Sequence, residues 1–353
     1  MNRKVLLAMS GGVDSSAAAV VLLRQGYEVC GATMHLYDAA SGMACGSTAD
    51  VEDAKHVASK LGMHHVVFRY TKEFERDVIG RFADGYACGL TPNPCICCNR
   101  YIKFGRLLDQ AKEMGCDYLA TGHFARVCFD EQRGRWLLKK AKDPGKDQSY
   151  VLYSLSQDVL SRTLFPMGDM YKNEGRMLAM TRGLANAGKP DSQDICFVPD
   201  GDYAGFLQRH CGVESRPGDF VDEEGRVLGR HRGLICYTVG QRKGLGLSLP
   251  APLYVLRKDR EKNQVVLAPK EKLYTSSLVA SDCNWISIER LDGTRRVTAK
   301  TRYSQKEAPA ALIPLPDGRT QVCFDEPQRA VTPGQAVVFY DGDEVVGGGT
   351  ILE

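Results

Sequence analysis

The first 120 residues alternate short apolar runs with amphipathic stretches, and a turn rich in glycine and serine sits at the first junction. Residues 4–9 read as a buried strand and 15–25 as a helix rich in Ala, Val and Leu. Residues 28–36 and 65–70 read as further strands. Between them, 49–61 is an amphipathic helix carrying Val51, Ala54, Val57, Ala58 and Leu61 on one face. Helices are expected at about 72–88 and 102–114, and another strand at 118–121. Strands alternating with helices bury their apolar faces as a parallel sheet covered on both sides. The expected fold class is therefore α/β with a Rossmann-type parallel sheet.

Beyond residue 116 the pattern loosens. A helical region is expected at about 157–186 and a helix start at 201–209, with Gly, Pro and short β runs to about 270. From about 277 onward, short alternating runs such as 296–303 are separated by Asp292-Gly293, Asp317-Gly318, Pro333-Gly334 and Asp341-Gly342. That spacing predicts a small β-barrel or sandwich. A chain of 353 residues exceeds one ordinary core. Three parts are expected: 1–199 as the catalytic domain with a helical part, 200–272 as a small, mainly β domain, and 273–353 as the barrel.

The net charge of +3 is too small to mark the whole chain as a polyanion binder, so any nucleic-acid contact needs a local basic face. The stretch 126–146, where Lys and Arg outnumber Asp130, Glu131 and Asp143, is such a bias. No signal-peptide core follows Met1 and no apolar run reaches spanning length, which predicts a cytoplasmic protein without a membrane partner. Thirteen cysteines in that setting are not presumed to be disulfides. Cys30, Cys116, Cys128, Cys236 and Cys323 stand singly and read as small buried hydrophobes.

Ser10-Gly11-Gly12-Val13-Asp14-Ser15-Ser16 lies between the first strand and the first helix. Two glycines let the backbone approach an anion, and a helix N-terminus presents unpaired N–H groups to it. Asp14 is the odd member, because a carboxylate repels phosphate unless a cation intervenes; it suits a Mg²⁺ ligand or a helix cap. Neither the Walker pattern nor a dinucleotide G-x-G-x-x-G is present here. The string resembles the PP-loop of N-type ATP pyrophosphatases, the adenine nucleotide alpha hydrolase-like group. That group includes GMP and asparagine synthetases, tRNA lysidine synthetases and tRNA thiolases.

Thr91-Pro92-Asn93-Pro94-Cys95-Ile96-Cys97-Cys98-Asn99 is the second signal. The two prolines are expected to forbid a helix across them, so a helix starting near 102 leaves Cys98 just before its N-terminus, beside Arg100 and Lys103. Such a cysteine is a good thiolate. Cys196 lies in Lys189-Pro190-Asp191-Ser192-Gln193-Asp194-Ile195-Cys196-Phe197. Three readings stand open on spacing alone. Two cysteines pass a persulfide sulfur between them. Alternatively Cys95, Cys97, Cys98 and Cys196 hold a metal or an iron–sulfur cluster. The third reading is buried thiols beside a proline turn.

Thr91 to Pro94 with Cys98-Asn99, and Asp191 to Phe197, resemble the two cysteine segments of bacterial tRNA-specific 2-thiouridylases. Ala120-Thr121-Gly122-His123, Lys146-Asp147-Gln148-Ser149-Tyr150, the 237–246 string Tyr-Thr-Val-Gly-Gln-Arg-Lys-Gly-Leu-Gly and Thr332-Pro333-Gly334-Gln335 match in family order. The resemblance implies an ATP- and Mg²⁺-dependent tRNA-uridine 2-sulfurtransferase acting on U34. It places ATP on Ala8, Met9, Ser10, Gly11, Gly12, Val13, Asp14, Ser15, Met34 and Gly122. It makes Cys98 the nucleophile and Cys196 the persulfide carrier, the pair ending as a disulfide. It puts the target base at Asn93, Pro94 and Cys95, and tRNA at His123, Lys146, Asp147, Gln148, Arg302, Tyr303 and Gln335. Lys, Glu and Gln acceptor tRNAs and a cysteine desulfurase or sulfur carrier are the implied partners. The competing expectations are an iron–sulfur-dependent thiolase with its cluster at Cys95, Cys98 and Cys196, a metal-containing tRNA-binding protein, and an ammonia-using PP-loop enzyme. Family members differ at position 95, where some carry Asp, and Cys97 is an extra thiol.

Overall fold

Val5, Leu6 and Leu7 are all fully buried, so the strand that carries them, β1 (Lys4–Ala8), has protein on both faces. The computed structural model describes residues 3–37, 47–189 and 195–352. The chain divides into two units: 1–78, 94–201 and 343–346 in the first, and 79–93, 202–342 and 347–353 in the second.

In the first unit, β1 pairs in parallel with β2 (Glu28–His35) on one side and with β4 (Tyr118–Thr121) on the other. Adding β3 (His64–Arg69) and β7 (Thr163–Leu164) gives the order β3-β2-β1-β4-β7. Helix α1 (Val13–Arg24) contributes Ala17, Ala18, Ala19, Val20 and Leu22 to a core shared with Val5 and Leu7 of β1. Ala54, Val57 and Ala58 of α2 (Thr48–Lys60) join the same core. Small residues along α1 let it lie close to the sheet, and Ser47 caps α2 by accepting from the Asp50 N–H. The strand order reverses between β1 and β4. The chains leaving their C-terminal ends therefore diverge and open a crevice there.

Two expectations need correction in this unit. The helix expected from 102 begins at Pro94: Pro94–Cys97, a π-helical segment Cys98–Leu107 and Leu108–Glu113 run on without a break. Proline lacks the N–H that a first-turn residue has no use for, so Pro94 starts this helix rather than blocking it. The helical region expected at 157–186 is interrupted. It becomes Gln157–Ser161, the short strand β7, Lys172–Thr181 and a 3₁₀ turn Ala185–Gly188. The basic stretch 126–146 holds the hairpin β5 (Arg126–Asp130) and β6 (Arg135–Lys139). Its charge is partly met within the unit: Arg126 lies 2.9 Å from Asp343, and Arg133 lies 2.6 Å from Glu344.

The second unit carries a four-stranded sheet in the order β10-β11-β8-β9, formed by β8 (Gly218–Val221), β9 (Val227–His231), β10 (Tyr254–Asp259) and β11 (Gln264–Ala268). Phe220, Tyr237, Val255, Val265 and Leu267 make its core. The expected barrel is present. It is built from β12 (Tyr274–Trp285), β13 (Arg295–Lys300), β14 (Ala308–Pro314), β15 (Thr320–Arg329), β16 (Ala336–Asp341) and β17 (Glu344–Ile351). The order β12-β15-β14-β13-β16-β17 closes on itself through β12–β17 pairing. Arg302 and Tyr303, expected within a strand, lie in the turn after β13.

The five single cysteines are less buried than expected. Cys128 is exposed, and Cys30, Cys116, Cys236 and Cys323 are half-buried. Burial raises the pKa of the Cys30 and Cys116 thiols, which keeps them protonated and unreactive. Among the described residues, no helix is long and apolar enough to cross a membrane.

Candidate active site

A cleft of about 260 Å³ opens at the crevice, lined by Ala8, Met9, Ser10, Asp14, Ser15, Thr33, Met34, Leu36, Lys103, Thr121, Gly122, His123 and Gln148. Its residues follow β1, β2 and β4, where the switch in strand order leaves space. The helix begins two residues earlier than the sequence pattern indicated, with Gly12 as its cap. Val13, Asp14 and Ser15 therefore form its first turn, whose N–H groups have no intrahelical acceptor. Ser15 Oγ donates to the Gly12 carbonyl at 3.0 Å and accepts from the Ser10 N–H at 3.3 Å, which closes the loop on itself. Gly11 has φ +71°, and a Cβ there would sit 2.6 Å from the Asp50 carbonyl oxygen. Only glycine fits that position without a shift of backbone.

Asp14 faces a cation after all. Lys172 Nζ, from the first residue of helix Lys172–Thr181, is 2.6 Å from Asp14 Oδ1. One carboxylate beside an anion-binding helix end suits Mg²⁺, which keeps most of its waters and takes its remaining ligands from the phosphates it accompanies. Behind the loop, Thr33 Oγ1 donates to the Met9 carbonyl at 2.9 Å, so it accepts at 2.9 Å from His65 Nε2, which carries the ring proton. On the β4 side His123 is buried against Phe104 and Phe165, with Nδ1 2.7 Å from Thr121 Oγ1. Burial, with Lys103 nearby, holds its pKa well below the ordinary range, so His123 is neutral at physiological pH. Gln148 accepts from the Phe124 N–H through Oε1 at 2.9 Å. Asp147 is taken up internally: its carboxylate accepts from Ala141 N, Ser149 N and Ser149 Oγ. Lys146 is half-buried in the same turn.

The cysteine segment reaches this cleft through its own helix. Cys98 is buried and opens the π-helical segment, and Lys103 five residues on lines the cleft. In a π-helix residues five apart are bonded neighbours one turn away, so Cys98 lies one turn from a cleft-lining residue. Asn99, 1% exposed, pins this turn by donating to the Val151 carbonyl at 3.0 Å. Cys98 thus stands at the fifth helical position, not ahead of the N-terminus. Cys95 is exposed and Cys97 half-buried. Cys196 is half-buried; its neighbour Phe197 packs edge-to-face on Phe74 of Thr71–Phe74, a helix in contact with the Cys98 segment. Residues 190–194 of the second cysteine segment lie outside the described residues. Among the described residues, no group of three or more His, Cys, Asp and Glu converges as a metal site. Among the described residues, Cys95, Cys98 and Cys196 therefore do not present a ready cluster cradle.

Asn93, Arg302, Tyr303 and Gln335 belong to the second unit. There, Gln335 Nε2 donates to the Thr91 carbonyl at 2.5 Å, and the Thr91 N–H donates to Pro333 O at 3.0 Å. Arg302 Nη2 donates to the Val239 and Ala330 carbonyls and to Thr332 Oγ1 at 2.7 to 3.0 Å. Tyr303 is exposed. Asn99, Lys103, Lys172, Thr33 and His65 were not singled out as site residues by sequence reasoning; the matching signal for Asn99 was its place directly after Cys98.

Comparison with known proteins gives three successive family matches: "tRNA methyl transferase HUP domain" over 3–200, "tRNA methyl transferase PRC-barrel domain" over 204–269 and "Aminomethyltransferase beta-barrel domain" over 275–351. The chain is 52% identical to the tRNA-specific 2-thiouridylase MnmA of Acetivibrio thermocellus, across 99% of both chains. The chain belongs to the tRNA-specific 2-thiouridylase family. Identity to the Caldanaerobacter subterraneus subsp. tengcongensis relative, tRNA-specific 2-thiouridylase MnmA 2, is 51% over 99% of this chain and 98% of that one. For the Clostridioides difficile relative it is 47% over 99% and 98%. Likeness at this level spans the cleft, the Cys98 helix and the barrel alike.

Proposed function

We propose that this protein is a cytoplasmic tRNA-uridine 2-sulfurtransferase that activates U34 of Lys, Glu and Gln tRNAs with ATP and replaces its C2 oxygen with sulfur. The observation that carries the reading is that the Cys98 helix also lines the phosphate-loop cleft, through Lys103. Methyl transfer, named in two of the family descriptions, has no use for such a pairing of thiol and nucleotide loop.

The chemistry follows from the leaving group. An oxygen at C2 of uridine departs poorly, so it first attacks the α-phosphorus of ATP, breaking the bond to pyrophosphate. Once sulfur has added to C2, the C2–O bond breaks and that oxygen leaves as part of the phosphate of AMP. Ala8 to Ser15, Met34 and Gly122 hold the nucleotide; Asp14 would hold Mg²⁺, which would supply charge to screen the phosphates. The sulfane sulfur arrives as a persulfide on Cys196 from a cysteine desulfurase or a sulfur carrier. Cys98 acts as nucleophile on the inner sulfur of that persulfide: the S–S bond breaks, the outer sulfur goes to C2, and the pair is left as a Cys98–Cys196 disulfide that an external thiol reductant reopens. The base enters beside Asn93, Pro94 and Cys95 from a single-stranded anticodon loop, where unstacking costs only a few kcal/mol. His123, Lys146 to Gln148, Arg302, Tyr303 and Gln335 contact the tRNA. Residues 1–199 carry the catalysis, 200–272 form the intervening β domain, and 273–353 add the barrel's tRNA contact.

The fate of the oxygen tests this directly. With tRNA carrying ¹⁸O at C2 of the target uridine, the label is expected in the phosphate of AMP. Recovery of the label in water, or in unmodified uridine while ATP is consumed, contradicts base adenylation.

A further inference from the structure

The phosphate loop has a support outside its own sequence. Asn186, in the 3₁₀ turn Ala185–Gly188, is 4% exposed and donates through Nδ2 to the Gly11 carbonyl at 2.9 Å and to Ser16 Oγ at 2.8 Å. Ser16 Oγ in turn donates to the Gly12 carbonyl at 3.0 Å, so it has only its lone pairs to offer Asn186. Both contacts require the amide nitrogen, which fixes the orientation of the Asn186 side chain. Its Oδ1 is buried with no hydrogen-bond partner.

This arrangement decides where the loop's donors point. In a planar trans peptide the C=O and the following N–H point in opposite directions. Asn186 draws the Gly11 carbonyl inward, so the Gly12 N–H points away from it. The Gly12 carbonyl is held back by Ser15 Oγ, Ser16 Oγ and the Ser16 N–H, so the Val13 N–H is turned outward as well. With Gly11 left-handed at φ +71° and Gly12 extended at φ −89°, these N–H groups stand at the N-terminal start of α1, where an anion is favoured. A loop of two glycines has many alternative conformations in which a carbonyl instead faces the anion. Asn186 removes those.

Resting on the reading of the cleft as an ATP site, we infer that Asn186 is a positioning residue for phosphate recognition: it holds the Gly11–Gly12 peptide so that backbone N–H groups, not a carbonyl, meet the triphosphate. The ligand class it serves is the polyphosphate part of the nucleotide, and it touches none of that part itself. Leu184 and Ala187, which flank it, are in the core shared with α1, so the turn that presents Asn186 is anchored independently of the amide.

The test compares two probes on the full chain by calorimetry, Mg-ATP and adenosine, in wild type, Asn186→Ala and Asn186→Asp. Loss of one buried hydrogen-bonding side chain is expected to weaken Mg-ATP about 10- to 30-fold in Asn186→Ala, with adenosine unchanged within about twofold. Asn186→Asp, which sets a carboxylate against the Gly11 carbonyl, is expected to lose more. Steady-state thiolation should show the effect in KM for ATP, with kcat within about threefold. Unchanged Mg-ATP affinity in Asn186→Ala overturns the inference. So does an equal fall for ATP and adenosine, which marks a residue that only supports the fold. A wild type that binds no Mg-ATP removes the nucleotide reading itself, which separates the two failures.

Discussion

Cys98→Ser is expected to lower tRNA thiolation at least about a thousandfold, because a hydroxyl at this site has neither the nucleophilicity of a thiolate nor the ability to form the closing disulfide. Mg-ATP binding and the tRNA-dependent release of pyrophosphate should survive, since Cys98 does not line the nucleotide cleft. The packing should survive as well. Serine is nearly isosteric with cysteine, and the turn is held from the next residue by Asn99 and Val151. Cys196→Ser should lose thiolation similarly, while Cys95→Ser and Cys97→Ser keep most of it, because neither takes part in the sulfur relay. The discriminating readout is nucleoside mass spectrometry beside pyrophosphate release. Full thiolation by Cys98→Ser removes the nucleophile from the account. Loss of both thiolation and pyrophosphate release assigns Cys98 to nucleotide activation instead.

The second large effect is expected at Gly11. A side chain there meets two obstacles at once: a left-handed φ of +71°, and the Asp50 backbone, whose carbonyl oxygen and Cα would stand 2.6 and 2.9 Å from the new Cβ. The left-handed conformation alone costs a non-glycine residue about 1–2 kcal/mol. The steric contact adds to this, because the obstacle is backbone at the start of α2, which Lys189 also holds through Asp50 and Asp53. Gly11→Ala is therefore expected to weaken Mg-ATP binding by about a hundredfold or more, equivalent to about 3 kcal/mol, and to lower thiolation in parallel. Unchanged affinity means that the loop does not carry the phosphates in the way described.

Much of the site was legible because its signals are local. A strand, two glycines, an Asp-Ser-Ser run and an alanine-rich helix are contiguous, and it is the whole string in that position, not the glycines alone, that marks the loop. The cysteine segment was legible for the same reason, yet its backbone was misjudged. Pro92 and Pro94 read as helix breakers, whereas Pro94 begins the helix and Cys98 sits inside it. The same residue type takes opposite roles at the first turn and in the interior, and only the following register distinguishes them. The π-helical segments at Glu75–Gly80 and Cys98–Leu107 left no periodic trace that a helical pattern of 3.6 residues detects. The break in the 157–186 region came from Thr163–Leu164 pairing with β4, a contact that no local propensity encodes. Asn186 and Lys172 were out of reach for a similar reason. Their partners in the phosphate loop lie 175 and 158 residues away, and an asparagine before Ala-Gly or a lysine at a helix start is common on any surface.

The measurement closest to the central claim is anaerobic thiolation in vitro. Purified protein, unmodified tRNA, Mg-ATP, a persulfide source and a thiol reductant are combined, and the digested nucleosides are read by mass spectrometry. The account predicts 2-thiouridine that depends on both ATP and the persulfide, without prior iron–sulfur reconstitution. ATP split to AMP with no 2-thiouridine formed, or 2-thiouridine formed only after cluster reconstitution, contradicts it.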